Sequence, residues 1–284
     1  ESVSLAVIGG IAGFVASDCI IDHCVNNAKL TGTSMTECIG GIVAGVEGCD
    51  VATISNCINN GDIINTAGYA AGIISVCSYA NDYITIINCK NTGNISTPFA
   101  VSCGIANQLD SANIISCSNT GDLSGMTACG IGYDVDYSVI DKCYNTGNIN
   151  TVAGGNSSCG LFSGAEYTII SNCYNTGDII GEYAYGMFDS LYSDCELINC
   201  YTECSVIALG HESDEIGARS RTGVFGRYIE GSSRIKDCFA TKKSVYNNIT
   251  DITTDELWAN VNYDDHCDNT YILNNGFSDE ITAT

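Results

Sequence analysis

One segment recurs along this chain: Ile54-Ser-Asn-Cys57-Ile-Asn-Asn-Gly-Asp-Ile63, then Ile140-Asp-Lys-Cys143-Tyr-Asn-Thr-Gly-Asn-Ile149, then Ile170-Ser-Asn-Cys173-Tyr-Asn-Thr-Gly-Asp-Ile179. Anchored on its cysteine, the unit appears eight times, at Cys24, Cys57, Cys89, Cys117, Cys143, Cys173, Cys200 and Cys238, spaced 26 to 38 residues apart. A second anchor, a glycine followed by an apolar residue, precedes each cysteine: Gly10, Gly41, Gly72, Gly104, Gly130, Gly160, Gly186 and Gly223. A unit of this length cannot close a core around itself. It is long enough for three short strands and three turns, so successive units must bury one another's apolar faces. The repeat therefore predicts an all-β fold, a right-handed parallel β-helix (solenoid) of about eight coils. Length alone permits one core or two in 284 residues; the repeat divides the chain into a β-helix domain over 1–243 and a C-terminal capping segment over 244–284.

Columns of equivalent residues show which side chains point inward. Three residues before the cysteine stand Ile21, Ile54, Ile86, Ile114, Ile140, Ile170, Leu197 and Ile235, apolar in every copy. One residue after it stand Val25, Ile58, Lys90, Ser118, Tyr144, Tyr174, Tyr201 and Phe239, a mixture that only solvent tolerates, so the cysteine beside it faces in. An isoleucine and a cysteine three apart cannot both face inward along a flat strand, where side chains alternate with period two. The chain must bend between them. Asn56, Asn88, Asn172 and Asn199 precede the cysteine in half the copies, and asparagine is the non-glycine type best suited to the left-handed conformation of such a bend. Two residues after the cysteine come Asn26, Asn59, Asn91, Asn119, Asn145 and Asn175. Equivalent residues of stacked coils lie ~4.8 Å apart, so these amides are expected to hydrogen-bond up the stack as a ladder.

The eighteen cysteines divide by position. Eight form the inward column, and Cys103, Cys129 and Cys159 form a second, each just before the anchor glycine. Vertical neighbours at ~4.8 Å are farther apart than a relaxed disulfide prefers, which predicts mostly free, buried thiols that behave as small apolar groups. Disulfides are expected instead among Cys19, Cys38, Cys49, Cys77, Cys195, Cys204 and Cys267, in pairings the spacing leaves open. No Cys-x-x-Cys pair occurs and His23, His211 and His266 are scattered, so no metal or other cofactor is expected. Asp134-Val-Asp136 is the nearest approach to a calcium motif and lacks the spacing of a calcium-binding repeat.

The pattern decays toward the end: Thr202-Glu-Cys204 and Ala240-Thr-Lys242 replace the Asn-Thr-Gly turn, and the repeat is expected to stop after Ser244. Thr253-Thr-Asp-Glu256 has the form of a capping box leading into Leu257-Trp258, which predicts a short helix over the last coil. At the other end Ser2 to Ile8 is already strand-like, the expectation for a fragment or processed form. A net charge of −23 repels a phosphate backbone and argues against nucleic acid as a partner. Arg219, Arg221, Arg227, Arg234, Lys236, Lys242 and Lys243 concentrate the positive charge in one stretch. No apolar run approaches the ~20 residues of a membrane helix, so membrane insertion is not expected.

At Gly9-Gly-Ile-Ala-Gly13, Gly40-Gly-Ile-Val-Ala-Gly45 and the recurring Asn-Cys-Tyr-Asn-Thr-Gly-Asp/Asn-Ile, the chain resembles the GLUG-type repeats of bacterial surface proteins, over roughly residues 5–243. Later copies lose the second glycine, as at Cys103-Gly104 and Tyr185-Gly186. The resemblance implies an extracellular or cell-surface location, an anaerobic bacterial origin and a place in a larger multi-modular protein.

Three functions follow as expectations. The first is a structural or adhesive module that meets a glycan, or a host or neighbouring-cell surface, through the outward aromatics Tyr144, Tyr174, Tyr201 and Phe239. The second is a carbohydrate-active β-helix enzyme, a polysaccharide lyase or hydrolase, for which Asp134, Asp136 and Glu166 are the carboxylates nearest to a cluster. The third is end-to-end self-association into a rod or filament.

Overall fold

The computed structural model describes residues 6–16, 18–46, 51–77, 83–151, 154–209, 222–223, 225–226, 228–241, 244–247, 250–251, 267–268 and 271–273. Their regular elements are all strands, stacked as a β-solenoid. Every pairing between coils is parallel; the one antiparallel pair joins Ser244–Asn247 to Thr250–Asp251 at the end.

Each circuit contributes to four sheets. Sheet I holds 15 strand segments, among them Thr36–Gly40, Ile95–Cys103 and Leu123–Cys129. Sheet II holds eight, including Gly132–Asp136, Phe162–Glu166 and Phe188–Leu191. Sheets III and IV hold nine each, the first carrying the isoleucine column and the second the asparagine column. About six turns, from Thr36 to Ala208, have a neighbouring coil on both sides of every sheet, slightly fewer than the eight coils expected, because the terminal copies form the two ends. Strands also continue past the expected stop at Ser244: Ser244–Asn247 extends sheet I, Cys267–Asp268 sheet III and Tyr271–Leu273 sheet IV. The capping box at 253–256 and the helix expected at Leu257-Trp258 lie outside the described residues, as do Arg219, Arg221, Arg227, Lys242, Lys243 and Cys49.

The bend between isoleucine and cysteine is present in every copy. His23, Asn56, Asn88, Ser116, Lys142, Asn172, Asn199 and Asp237 all have φ between 52° and 55°. The turn leaves Ile54, Cys57, Ile114, Cys117, Ile170 and Cys173 at most 1% exposed in one continuous core. A second left-handed corner recurs at Ser111, Tyr137, Tyr167 and Asp194, where sheet II passes into sheet III.

Ladders run up both corners. In the first, the N–H of Cys89 donates to Sγ of Cys117, and Cys117 to Cys143, Cys143 to Cys173, Cys173 to Cys200 and Cys200 to Cys238, each at 3.4 Å. In the second, Ala112 N–H donates to Ser138 Oγ, Ser138 N–H to Thr168 Oγ1 and Cys195 N–H to Ser233 Oγ. The asparagine ladder is continuous: Nδ2 of each of Asn26, Asn59, Asn91, Asn119 and Asn145 reaches Oδ1 of the next at 2.7–2.8 Å. Full burial of these amides is tolerable because every polar atom is partnered.

The fifteen cysteines whose side chains are described are free thiols, thirteen of them buried; the side chains of Cys49, Cys77 and Cys267 lie outside the description. The disulfides expected among the off-column residues are absent at Cys19, Cys38, Cys195 and Cys204. Cys195 fails to pair for a simple reason: it stands in the second corner ladder, where Ser138, Thr168 and Ser233 occupy the equivalent place.

Candidate functional site

One of the surface hollows among the described residues lies at the junction of sheets I and II. Where sheet I turns into sheet II, Ala71, Val101, Cys103, Cys129, Cys159 and Tyr185 form a small buried cluster separate from the main core. They alternate along the strands with the core residues Ala70, Ala128 and Ala184, so they project from the opposite side of sheet I. Cys103, Cys129 and Cys159 are in register, as the second cysteine column anticipates. Tyr133 and Tyr183 pack against this outer cluster.

Above the cluster opens a cavity of about 380 Å³. Sheet I and its connection supply Thr127, Asn156, Ser157 and Tyr183; sheet II and its end supply Tyr133, Asp134, Ser163, Gly164, Asp189, Ser190 and Tyr192. The floor and walls thus combine three tyrosines, two carboxylates and a set of hydroxyl and amide groups. No lysine or arginine is among them.

The two carboxylates are held differently. Asp189 is 8% exposed, and Oγ of Ser157 donates to it at 2.6 Å. Asp134 accepts no hydrogen bond from any described residue, and burial alone raises its pKa. It sits in a notch made by Gly164: a Cβ there would come within 3.1 Å of Asp134 Oδ1 and 3.6 Å of Tyr192 Cε2. Burial, with the charge of Asp134 beside it, pushes the Tyr133 phenol up to about 12, which keeps it protonated and able to donate.

Asp136 and Glu166 stand in register on adjacent coils, with Asp110 below them. Asp134 and Asp136 flank Val135, which is fully buried, so the two carboxylates share the outer face as the sequence indicates. Burial, followed by the charges of Asp134, Glu166 and Asp110, pushes Asp136 up to about 6. Only Asp134 of this group lines the cavity. Among the described residues no cluster of three or more His, Cys, Asp or Glu is arranged to hold a metal ion.

The aromatic column is brought together as its spacing predicts. Tyr144 and Tyr174 stack with centroids 4.8 Å apart at 1°, Tyr174 and Tyr201 at 4.8 Å and 5°, and Phe239 pairs in register with Tyr201. The stacking occupies both faces of the Tyr174 ring and one face each of Tyr144 and Tyr201. A sugar approaching from the side meets edges and hydroxyls, whereas stacking on a sugar needs a free face. The eight cysteines and six asparagines of the two ladders lie inside the solenoid wall, where they hold coils together.

Sequence reasoning reached Asp134 but missed Asp189, Tyr133, Tyr183 and Tyr192, which recur in no column. Comparison with known protein families, curated proteins and solved structures found no match to this chain.

Proposed function

We propose that this chain is a structural and adhesive repeat module of a bacterial surface or secreted protein, of the GLUG-repeat kind, which holds a glycan in the concave cleft between sheets I and II. The observation that carries the reading is the composition of that cleft. Rigid aromatic rings beside carboxylates, hydroxyls and an amide form the chemistry that grips a hydroxyl-rich ring, and a cavity of about 380 Å³ lies in the range of small-ligand sites. The three ladders supply the stiffness a presenting module needs, since buried hydrogen bonds tie successive coils together at two corners and along sheet IV. An extracellular or cell-surface location belongs to the same reading. The stacked tyrosines contribute rigidity in it, and the cleft contributes the contact.

Glycan-array binding of the intact chain tests this. The expected result is binding that is lost on Ser163→Trp, which fills the cleft, and kept on Tyr174→Ala. No binding to any glycan, or binding indifferent to Ser163→Trp, rejects the reading.

A second reading is favoured by one observation: Asp134 and Asp189 line the same cavity, as acid–base chemistry on a glycosidic bond requires. Release of new reducing ends from a bound oligosaccharide, abolished by Asp134→Asn, would make the module a glycan-cleaving enzyme.

A further inference from the structure

The two carboxylates of the cleft differ in their hydrogen-bond partners. Asp189 has its needs met from within, by Ser157. Asp134 has no donor, stands partly out of water, and faces a hollow that the missing side chain of Gly164 keeps open. A desolvated carboxylate without a donor is an unfavourable arrangement that a ligand donor relieves, and a charged donor relieves it more than a neutral one. The opposite wall of the same hollow is Tyr192, an aromatic ring 41% exposed. Carboxylate on one side and aromatic ring on the other suit a compact cation.

The surroundings act in the same direction. Asp136 lies close enough for the charge of Asp134 to raise its pKa, and Glu166 and Asp110 extend the negative file along the rim. Among the described residues no lysine or arginine lines the cavity, so none of them meets a carboxylate or sulfate group of a ligand. Acidic polysaccharides are therefore repelled and neutral ones bind without using Asp134 fully.

We infer that the cleft selects an amino sugar, a glycan residue whose free, protonated amine seats between Asp134 and Tyr192 above Gly164. The inference rests on the glycan reading of the cleft and goes beyond it by assigning the charge of the ligand. The preference over a neutral sugar comes from exchanging a neutral hydrogen bond for a charge-assisted one, a difference of roughly tenfold in Kd.

Titration calorimetry on the intact chain at pH 6, with three probes, decides the matter: a β-1,4-linked glucosamine trimer, the corresponding N-acetylglucosamine trimer and the corresponding glucose trimer. The glucosamine trimer is expected to bind about tenfold more tightly than the other two, with a preference that shrinks as salt is added. Asp134→Asn is expected to remove the preference, so that the glucosamine trimer binds no more tightly than the two neutral trimers. Asp178→Asn, the same charge change on the exposed turn before sheet I, is expected to keep both. Equal binding of the three probes overturns the amino-sugar inference and leaves the glycan reading standing, as does a preference that survives Asp134→Asn. If none of the three binds but Nα-acetyl-lysine methylamide does, the cleft recognises an amine on a peptide and the amino-sugar assignment falls. Binding of no probe removes the inference and the glycan reading together.

Discussion

Nδ2 of Asn119 lies 2.7 Å from Oδ1 of Asn145 one coil on, and the same amide nitrogen reaches the carbonyl of Gly121 at 2.8 Å. One side chain thus ties two coils together and closes its own turn. Below it, Nδ2 of Asn91 donates to Asn119 in the same way. The result is a buried file in which each amide is both donor and acceptor.

Removing a middle member breaks this file on both sides. Asn119→Ala leaves Asn91 without its acceptor and Asn145 without its donor, in a site with no access to water, and is expected to cost about 3 kcal/mol. Asn26, the first member, has a partner on one side only and is 4% exposed, so Asn26→Ala is expected to cost about half as much. Urea denaturation followed by circular dichroism measures both, and equal losses would mean the ladder does not act through its neighbours.

The thiol columns predict a sharp contrast in reactivity. The thirteen buried cysteines are free, and burial drives the thiols of Cys129, Cys143 and Cys200 well above their ordinary range. A thiol that is neither exposed nor ionised does not attack a disulfide reagent. At pH 8 those thirteen are expected to stay unreactive in the folded chain and to react promptly in denaturant, as read by absorbance. Rapid reaction of more than five of the eighteen thiols without unfolding would contradict the packing.

Asp136 makes the fold sensitive to pH in a defined window. Its folded pKa is pushed up to about 6 from 3.8, so its contribution favours the fold at low pH and is lost as pH rises from about 4 through 6. Asp136→Asn, neutral throughout, is expected to be more stable than the parent at pH 8 by on the order of 1 kcal/mol, the figure being reduced for partial exposure. Below about pH 4 the two proteins should melt together. A stabilisation that persists undiminished at pH 3.5 would show that the charge is not its source.

Tyr174 stacks between Tyr144 and Tyr201, and its replacement removes both contacts. Tyr174→Ala is expected to lower stability by about 1–2 kcal/mol, since the rings are half-buried and their stacking adds to the area they cover. Near-ultraviolet circular dichroism should lose intensity while saccharide binding stays unchanged. A loss of binding without a loss of stability would return the contact to the aromatic column.

A reader of the sequence can name the isoleucine, cysteine and asparagine columns because, in a parallel stack, equivalent residues of successive copies touch. Periodicity along the chain then is contact in space, and the left-handed bend before each cysteine follows from period-two alternation alone. What the sequence leaves undetermined is how different columns meet. The anchor glycines turn out to lie against the asparagine column: a Cβ on Gly130 would stand 2.0 Å from the carbonyl of Gly160 and 2.6 Å from Cβ of Asn145, so the glycine makes room for the asparagine ladder. The second left-handed corner escapes notice because serine, tyrosine and aspartate share it. The cleft escapes notice for a deeper reason. Its walls come from two sheets that meet at an angle set by packing, and residues such as Asp134 and Asp189 occur there once, so no repetition announces them; only the folding of one sheet against the next brings them face to face.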